Sequence, residues 1–134
     1  MIGLVMGVPS LMEIFDEKYY LNLEGGILEA LGRMFKGGLK LYVYPMIDEG
    51  TGKIVTAKQL EVAPNLRFLF QYLIDNRFIE EIAHYHADYL QIYPTDALAK
   101  LQRGDSGWER MVPPEVVQII KEREFFGYRR PVAA

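Results

Sequence analysis

The chain has 134 residues, half of them hydrophobic and a quarter charged, with a formal net charge of -3 and no cysteine. A chain of this length buries roughly two thirds of the surface its unfolded form exposes, enough for a folded domain, and the composition is not that of a disordered segment. The acidic balance disfavours a broad nucleic-acid surface, which must neutralise phosphates, and the missing cysteines remove disulfides, thiolate metal sites and a Cys nucleophile.

The first element is the run from Ile2 to Val8, which carries no charge and is bounded by Pro9 and Ser10. It reads as a short strand buried on both faces, the habit of interior strands in parallel sheets. It is too short to cross a bilayer and Met1 is followed by no basic segment, so neither a transmembrane helix nor a signal peptide is expected. A cytoplasmic protein with no membrane insertion fits these features. Next, Ser10 and Glu13 stand at the capping-box spacing, predicting a helix that starts at Ser10, turns Leu11, Ile14 and Phe15 inward and fades near Tyr19 and Tyr20.

Glu24, Gly25 and Gly26 interrupt this pattern. Ile27, Leu28, Leu31, Met34 and Phe35 then fall on one helical face, ending at Gly37 and Gly38, where a glycine takes the left-handed cap. Leu39, Leu41 and Val43 alternate with Lys40, Tyr42 and Tyr44, the period of a strand with one more polar face. The cluster from Asp48 to Lys53 is a turn, and the apolar Ile54 to Ala57 beyond it predicts a hairpin, with a mobile loop as the alternative. Strand, helices and strand from Ile2 to Tyr44 form a βαβ unit with an elaborated, right-handed crossover.

The second half reads as mostly helical. Leu66, Leu69, Phe70, Leu73 and Ile74 mark the apolar face of a helix opened by Pro64, and Phe78, Ile79 and Ile82 continue through a shorter element. Residues from Ala87 to Tyr93 form a brief strand or an irregular connection. Pro94 then opens a helix carrying Ala97, Leu98 and Leu101, which stops at Gly104. Pro113 and Pro114 suit the first turn of a last helix with Val116, Val117 and Ile120 as its stripe and Gly127 as its cap. The expected fold class is α/β: a small, mainly parallel sheet with crossover helices and a helical C-terminal half. A single domain over residues 1–128 and a flexible tail over 129–134 complete the expectation.

Candidate ligand-binding residues are Gly7 and Ser10, at the strand-to-helix turn, and Asp48, beyond the end of the second strand. Ligands in open α/β sheets lie past the C-terminal ends of strands, and a helix start offers N–H groups to an anion. The turn lacks the glycine spacing of a dinucleotide site and the Lys-Ser/Thr pair of a phosphate loop, so plain capping is the ordinary alternative. Candidate partner-binding residues are Trp108, Arg110 and Pro113, since Trp and Arg are enriched at interface centres. The favoured reading of the lone tryptophan is nonetheless a core anchor for the last helix, since a single Trp is usually largely buried. His84 and His86 share a face only on a strand and lack a definable third ligand, so no metal is expected. The tyrosines lack the positive groove that RNA stacking needs. No Ser/His/Asp or Gly-x-Ser-x-Gly arrangement is present, no cofactor is implied, and the acidic residues stand as solvated groups, which leans against an enzyme.

Four stretches carry a resemblance: IGLVMGVPSLMEIFDEKYY, LEGGILEALGRMFK, LKLYVYPMIDEGTGKIVTA and GDSGWERMVPPEVVQIIKERE, the last running on through FFGY to Tyr128. On them the chain resembles the C-terminal part of a family of larger bacterial proteins whose members carry automatic names such as TonB-dependent receptor or nicotinate-nucleotide adenylyltransferase. Neither name suits these residues: a receptor barrel needs many amphipathic strands, and His84 and His86 do not make an adenylyltransferase His signature. The resemblance implies that further α/β sequence supplies neighbours to the first strand. The chain is then a piece of a longer protein or a short version that completes its sheet by association. The function expected is a protein-interaction or scaffold module, joining itself into a homo-oligomer or docking on a partner subunit. The alternative is a nucleotide-linked enzyme or ligand-binding half-domain using the strand ends near Gly7 to Ser10 and Pro45 to Asp48.

Overall fold

The structure is a computed structural model, and it describes residues 1–132. The chain divides into two compact units, one from Met1 to Tyr85 and one from His86 onward. In chain order the first unit runs β1 (Ile2–Gly7), α1 (Val8–Ile14), α2 (Gly26–Lys36), β2 (Leu39–Tyr44), β3 (Met46–Ile47), β4 (Ile54–Val55), α3 (Arg67–Asp75) and β5 (Ile79–Glu81), with 3-10 turns between. The second contains α4 (Pro94–Gln102) and α5 (Pro114–Arg123). Among the described residues no helix is long and apolar enough to cross a membrane.

The fold class is α/β, with a three-stranded parallel sheet in the order β1-β2-β5. Ile2 is level with Leu39 and Gly7 with Tyr44, while Leu41 is level with Ile79. Both crossovers step the same way across the sheet, and right-handed crossovers that do so stack their helices on one face. Burial identifies that face: Leu41, Val43 and Ile79 are at most 1 % exposed. They pack with Val8 and Leu11 of α1, Ile27, Leu31 and Phe35 of α2, and Phe70 and Leu73 of α3. Phe15 meets Phe70 edge to face with ring centres 5.0 Å apart, tying the segment after α1 to α3. The strand alternation of β2 and the helical spacing of α2 thus meet in one core, and Gly38 takes the left-handed conformation between them (φ 78°).

The structure corrects the expectation for the first strand. β1 is an edge strand, not an interior one, and Ile2, Leu4 and Val5 are 65 %, 48 % and 60 % exposed. An uncharged run establishes only that no charge is buried there; two-sided burial needs neighbours on both edges, and β1 has β2 alone. The helix start is corrected as well. α1 begins at Val8, with Gly7 as an uncapped N-cap and Pro9 in the first turn, so the Ser10 and Glu13 box does not form. Proline suits the first turn because its ring presets φ and no N–H is needed there, and this draws the helix start ahead of Ser10.

The hairpin forms, but as a separate two-stranded antiparallel sheet of β3 and β4. The third strand of the main sheet is β5, at Ile79 in the segment read only as a short apolar element.

In the second unit Trp108 is 2 % exposed and packs with Leu101 and Ile120, flanked by Val112, Val117 and Tyr128. Asp105 accepts a hydrogen bond from the Gly107 N–H (2.8 Å) and so starts the 3-10 turn that carries the indole inward. α5 ends at Glu124, itself left-handed (φ 52°), rather than at Gly127, which closes the turn that follows (φ 84°). The connection from Ala87 to Gln91 is a 3-10 turn, not a strand. Of the tail expected from Arg129 onward, Ala133 and Ala134 lie outside the described residues.

Candidate functional site

β1 presents two surfaces that its neighbours leave uncovered. Ile2 donates its N–H to the Gly38 carbonyl (3.0 Å), so the even residues of β1 direct their main-chain groups to β2. Alternation then turns the N–H and C=O groups of Gly3 and Val5 to the open edge. The side chains alternate in the other sense. Ile2, Leu4 and Met6 share the helix-covered face with Leu39, Leu41 and Val43, whereas Gly3, Val5 and Gly7 share the opposite face with Lys40, Tyr42 and Tyr44.

Two of these glycines make room for rings. A Cβ placed on Gly3 would lie 2.9 Å from Cε2 of Tyr42, and one on Gly7 would lie 3.2 Å from Cε2 of Tyr44. The β2 tyrosines therefore fold across β1, leaving Val5 between them. The far end of this face is ionic. Glu80 of β5 meets Nε of Arg77 at 2.6 Å and Nζ of Lys40 at 3.1 Å, and these two partners, Arg77 first, hold its carboxyl below the ordinary carboxylate range. Polar groups on β2 and β5 thus keep their part of the face compatible with water, and the unshielded apolar groups gather at β1.

The two edges of the sheet differ in kind. β5 is short, bears Glu80 and Glu81, and is covered where the Lys58 N–H donates to Glu81 Oε1 (2.8 Å). Short length, charge and cover are the usual protections of an edge strand. β1 has none of them: it spans six residues with no charge and no proline.

The ligand-binding candidates are placed less favourably. Gly7 is buried at the end of β1, and Ser10 lies exposed inside the first turn of α1 with no side-chain hydrogen bond among the described residues. α1 is only seven residues long, and Pro9 removes one of the amide donors an anion would use. Asp48 lies in the turn between β3 and β4, where its Oδ1 accepts from the N–H groups of Gly50 (2.8 Å) and Thr51 (3.2 Å). That carboxylate oxygen closes a turn in the manner of an Asx motif. Two clefts lie elsewhere, one of about 320 Å³ near Met12, Asp16 and Leu60, the other of about 310 Å³ near Leu28, Gly32, Leu69 and Tyr72.

Of the partner-binding candidates, Trp108 is corrected: at 2 % exposure its indole is a core anchor and offers no surface. Arg110 and Pro113 are exposed, and Pro113 is the residue before the first turn of α5. His84 and His86 are exposed, the latter beside the Tyr89 ring at 5.1 Å. Among the described residues no group of three metal-ligating side chains is present.

The sequence placed Tyr42 and Tyr44 on the more polar face of β2, but the exposure of Val5 and the approach of the two rings to Gly3 and Gly7 were missed, since only the register brings those residues level. Comparison with family models, with curated proteins and with solved structures finds no match for this chain.

Proposed function

We propose that the chain is a protein-interaction module whose working surface is the open edge of β1. The carrying observation is the conjunction, on one strand, of free main-chain groups at Gly3 and Val5 with exposed Ile2, Leu4 and Val5. A strand added there satisfies the main-chain groups and covers the apolar side chains, each contributing roughly 1 kcal/mol or more on burial. Sheet extension fits this surface better than chemistry does, because the strand ends hold no convergent acid, base and nucleophile.

The test is sedimentation equilibrium of the full chain, wild type and Val5→Lys, over a range of concentrations. The wild type is expected to sediment above the mass of one chain, and Val5→Lys as one chain that keeps the far-UV circular dichroism of the fold and a cooperative thermal transition that does not shift with concentration. A charge on an exposed edge blocks strand addition without touching the core. A wild type that stays a single chain throughout, indistinguishable from Val5→Lys, overturns the reading. A collapse of the fold in Val5→Lys also overturns it, by showing that Val5 is structural.

A further inference from the structure

The sheet has one unprotected edge, and the residues along it are arranged symmetrically. Within β1 the order Gly3, Leu4, Val5, Met6, Gly7 reads nearly alike in both directions: a glycine at each end, then a long apolar side chain, with valine at the centre. From this we infer that β1 pairs antiparallel with β1 of a second copy of the chain, about a twofold axis at Val5, joining two three-stranded sheets into one. The inference rests on the reading of β1 as an interaction edge and names its occupant.

The main-chain geometry permits this register. Val5 turns its N–H and C=O to the open edge, so two Val5 residues facing each other exchange both bonds as a hydrogen-bonded pair. Gly7 keeps an extended backbone (φ -87°, ψ 166°), and its N–H is directed to the same edge, level with the Gly3 carbonyl of the second copy. On the helix-covered face Leu4 then stands opposite Met6 of the second copy, so the partly exposed apolar side chains cover one another. On the other face Gly3 stands opposite Gly7 of the second copy. The rings that already lie over these glycines, Tyr42 from one chain and Tyr44 from the other, meet above the pair.

Charge and closure set this pairing apart from its rivals. β1 is uncharged, so a twofold axis through it brings no like charges together along the strand. Pairing β5 with a second β5 instead sets Glu80 and Glu81 against their own copies. Pairing β1 with the β5 of another copy is heterologous and does not close into a dimer.

The chain has no cysteine, so single cysteines report the register cleanly. In the proposed pair the two Val5 Cα atoms lie ~5.5 Å apart, within disulfide reach, whereas two Ile2 residues are six positions out of register, roughly 20 Å apart. Under mild oxidation Val5→Cys is expected to form a disulfide dimer at least tenfold faster than Ile2→Cys at equal concentration. The unsubstituted chain provides a second measurement. Amide exchange at Val5 and Gly7 should slow as concentration rises, and that at Tyr19 and Leu28, away from the edge, should not. Equal cross-linking of both variants, or no cross-linking together with concentration-independent exchange, overturns the antiparallel pairing. If the wild type still sediments above one chain in that case, and Val5→Lys does not, the interaction edge stands and only its occupant or register is wrong. A wild type that remains a single chain removes both.

Discussion

Replacing Trp108 with alanine separates the core role from a partner role. The indole is 2 % exposed, in a cluster whose other buried members are Leu101 and Ile120, and its ring lies edge to face with Tyr128 at 6.0 Å. Truncating a buried tryptophan costs about 3–5 kcal/mol, a figure that includes the cavity left behind, and the aromatic pair accounts for ~1 kcal/mol of contact. A core in a unit this small rarely supplies more than ~3–5 kcal/mol in all. Trp108→Ala should therefore remove most of the stability of the second unit. The assay is amide exchange resolved by residue, read over α4 and α5, with far-UV circular dichroism for the loss of helix. Protection in both helices should fall to the level of open chain, and Trp108→Phe, which keeps a ring against Tyr128, should lose only part of it. If protection in α4 and α5 stays within about tenfold of the wild type, a loss under ~1.4 kcal/mol, the core assignment is refuted and the tryptophan has another role.

Two further outcomes follow from local geometry. Ser10→Ala should change stability by less than ~0.5 kcal/mol, because Ser10 makes no cap; a loss near ~1 kcal/mol in urea denaturation would restore the capping box that the helix start at Val8 excludes. Glu80 is held below the ordinary carboxylate range by Arg77 and then Lys40, so its folded pKa lies below its unfolded one. Its contribution is present in full above the unfolded value and is lost as pH falls through the folded one. The gap in urea midpoint between wild type and Glu80→Gln should accordingly be open at neutral pH and close in acid, below about pH 4; a gap that does not change with pH refutes the ionic role.

Much of the first unit was legible because its signals are local. Ile27, Leu31, Met34 and Phe35 on one helical face and a glycine pair define α2, although Leu28, read on the same face, is exposed; strict alternation defines β2. The turn from Asp48 was legible for the same reason, since an Asp followed by glycine and threonine supplies its own closure. β5 was not legible: it is three residues long, two of them glutamates, and it is a strand because β2 offers it an edge. For Trp108 the sequence favoured the core over an interface only on the habit of single tryptophans, because buried anchors and interface hot spots share the residue type; the contacts with Leu101 and Ile120 decide for the core.

The misreading of β1 is the informative one. A charge-free run in a parallel βαβ setting implies two covered faces and two paired edges, and the first unit provides β1 with one paired edge and only partial cover on its helix side. The cause is topological. Both crossovers advance from β1 toward β5, so α1, α2 and α3 lie on one face and β2 and β5 are added on one side. In a doubly wound sheet the chain reverses beside its first strand, and that reversal supplies the missing neighbour. Here it does not occur among the described residues, and the sequence of β1 retains the composition of a strand that has that neighbour. The polar groups of Lys40, Tyr42, Tyr44 and Glu80 adapt the rest of the open face to water, so on that face the exposed apolar side chain of β1 is Val5. On the interaction reading proposed above, the exposed apolar residues of β1 are what a sheet-completing strand covers, and in the proposed pairing the symmetric order about Val5 supplies both sides of the joint from one sequence.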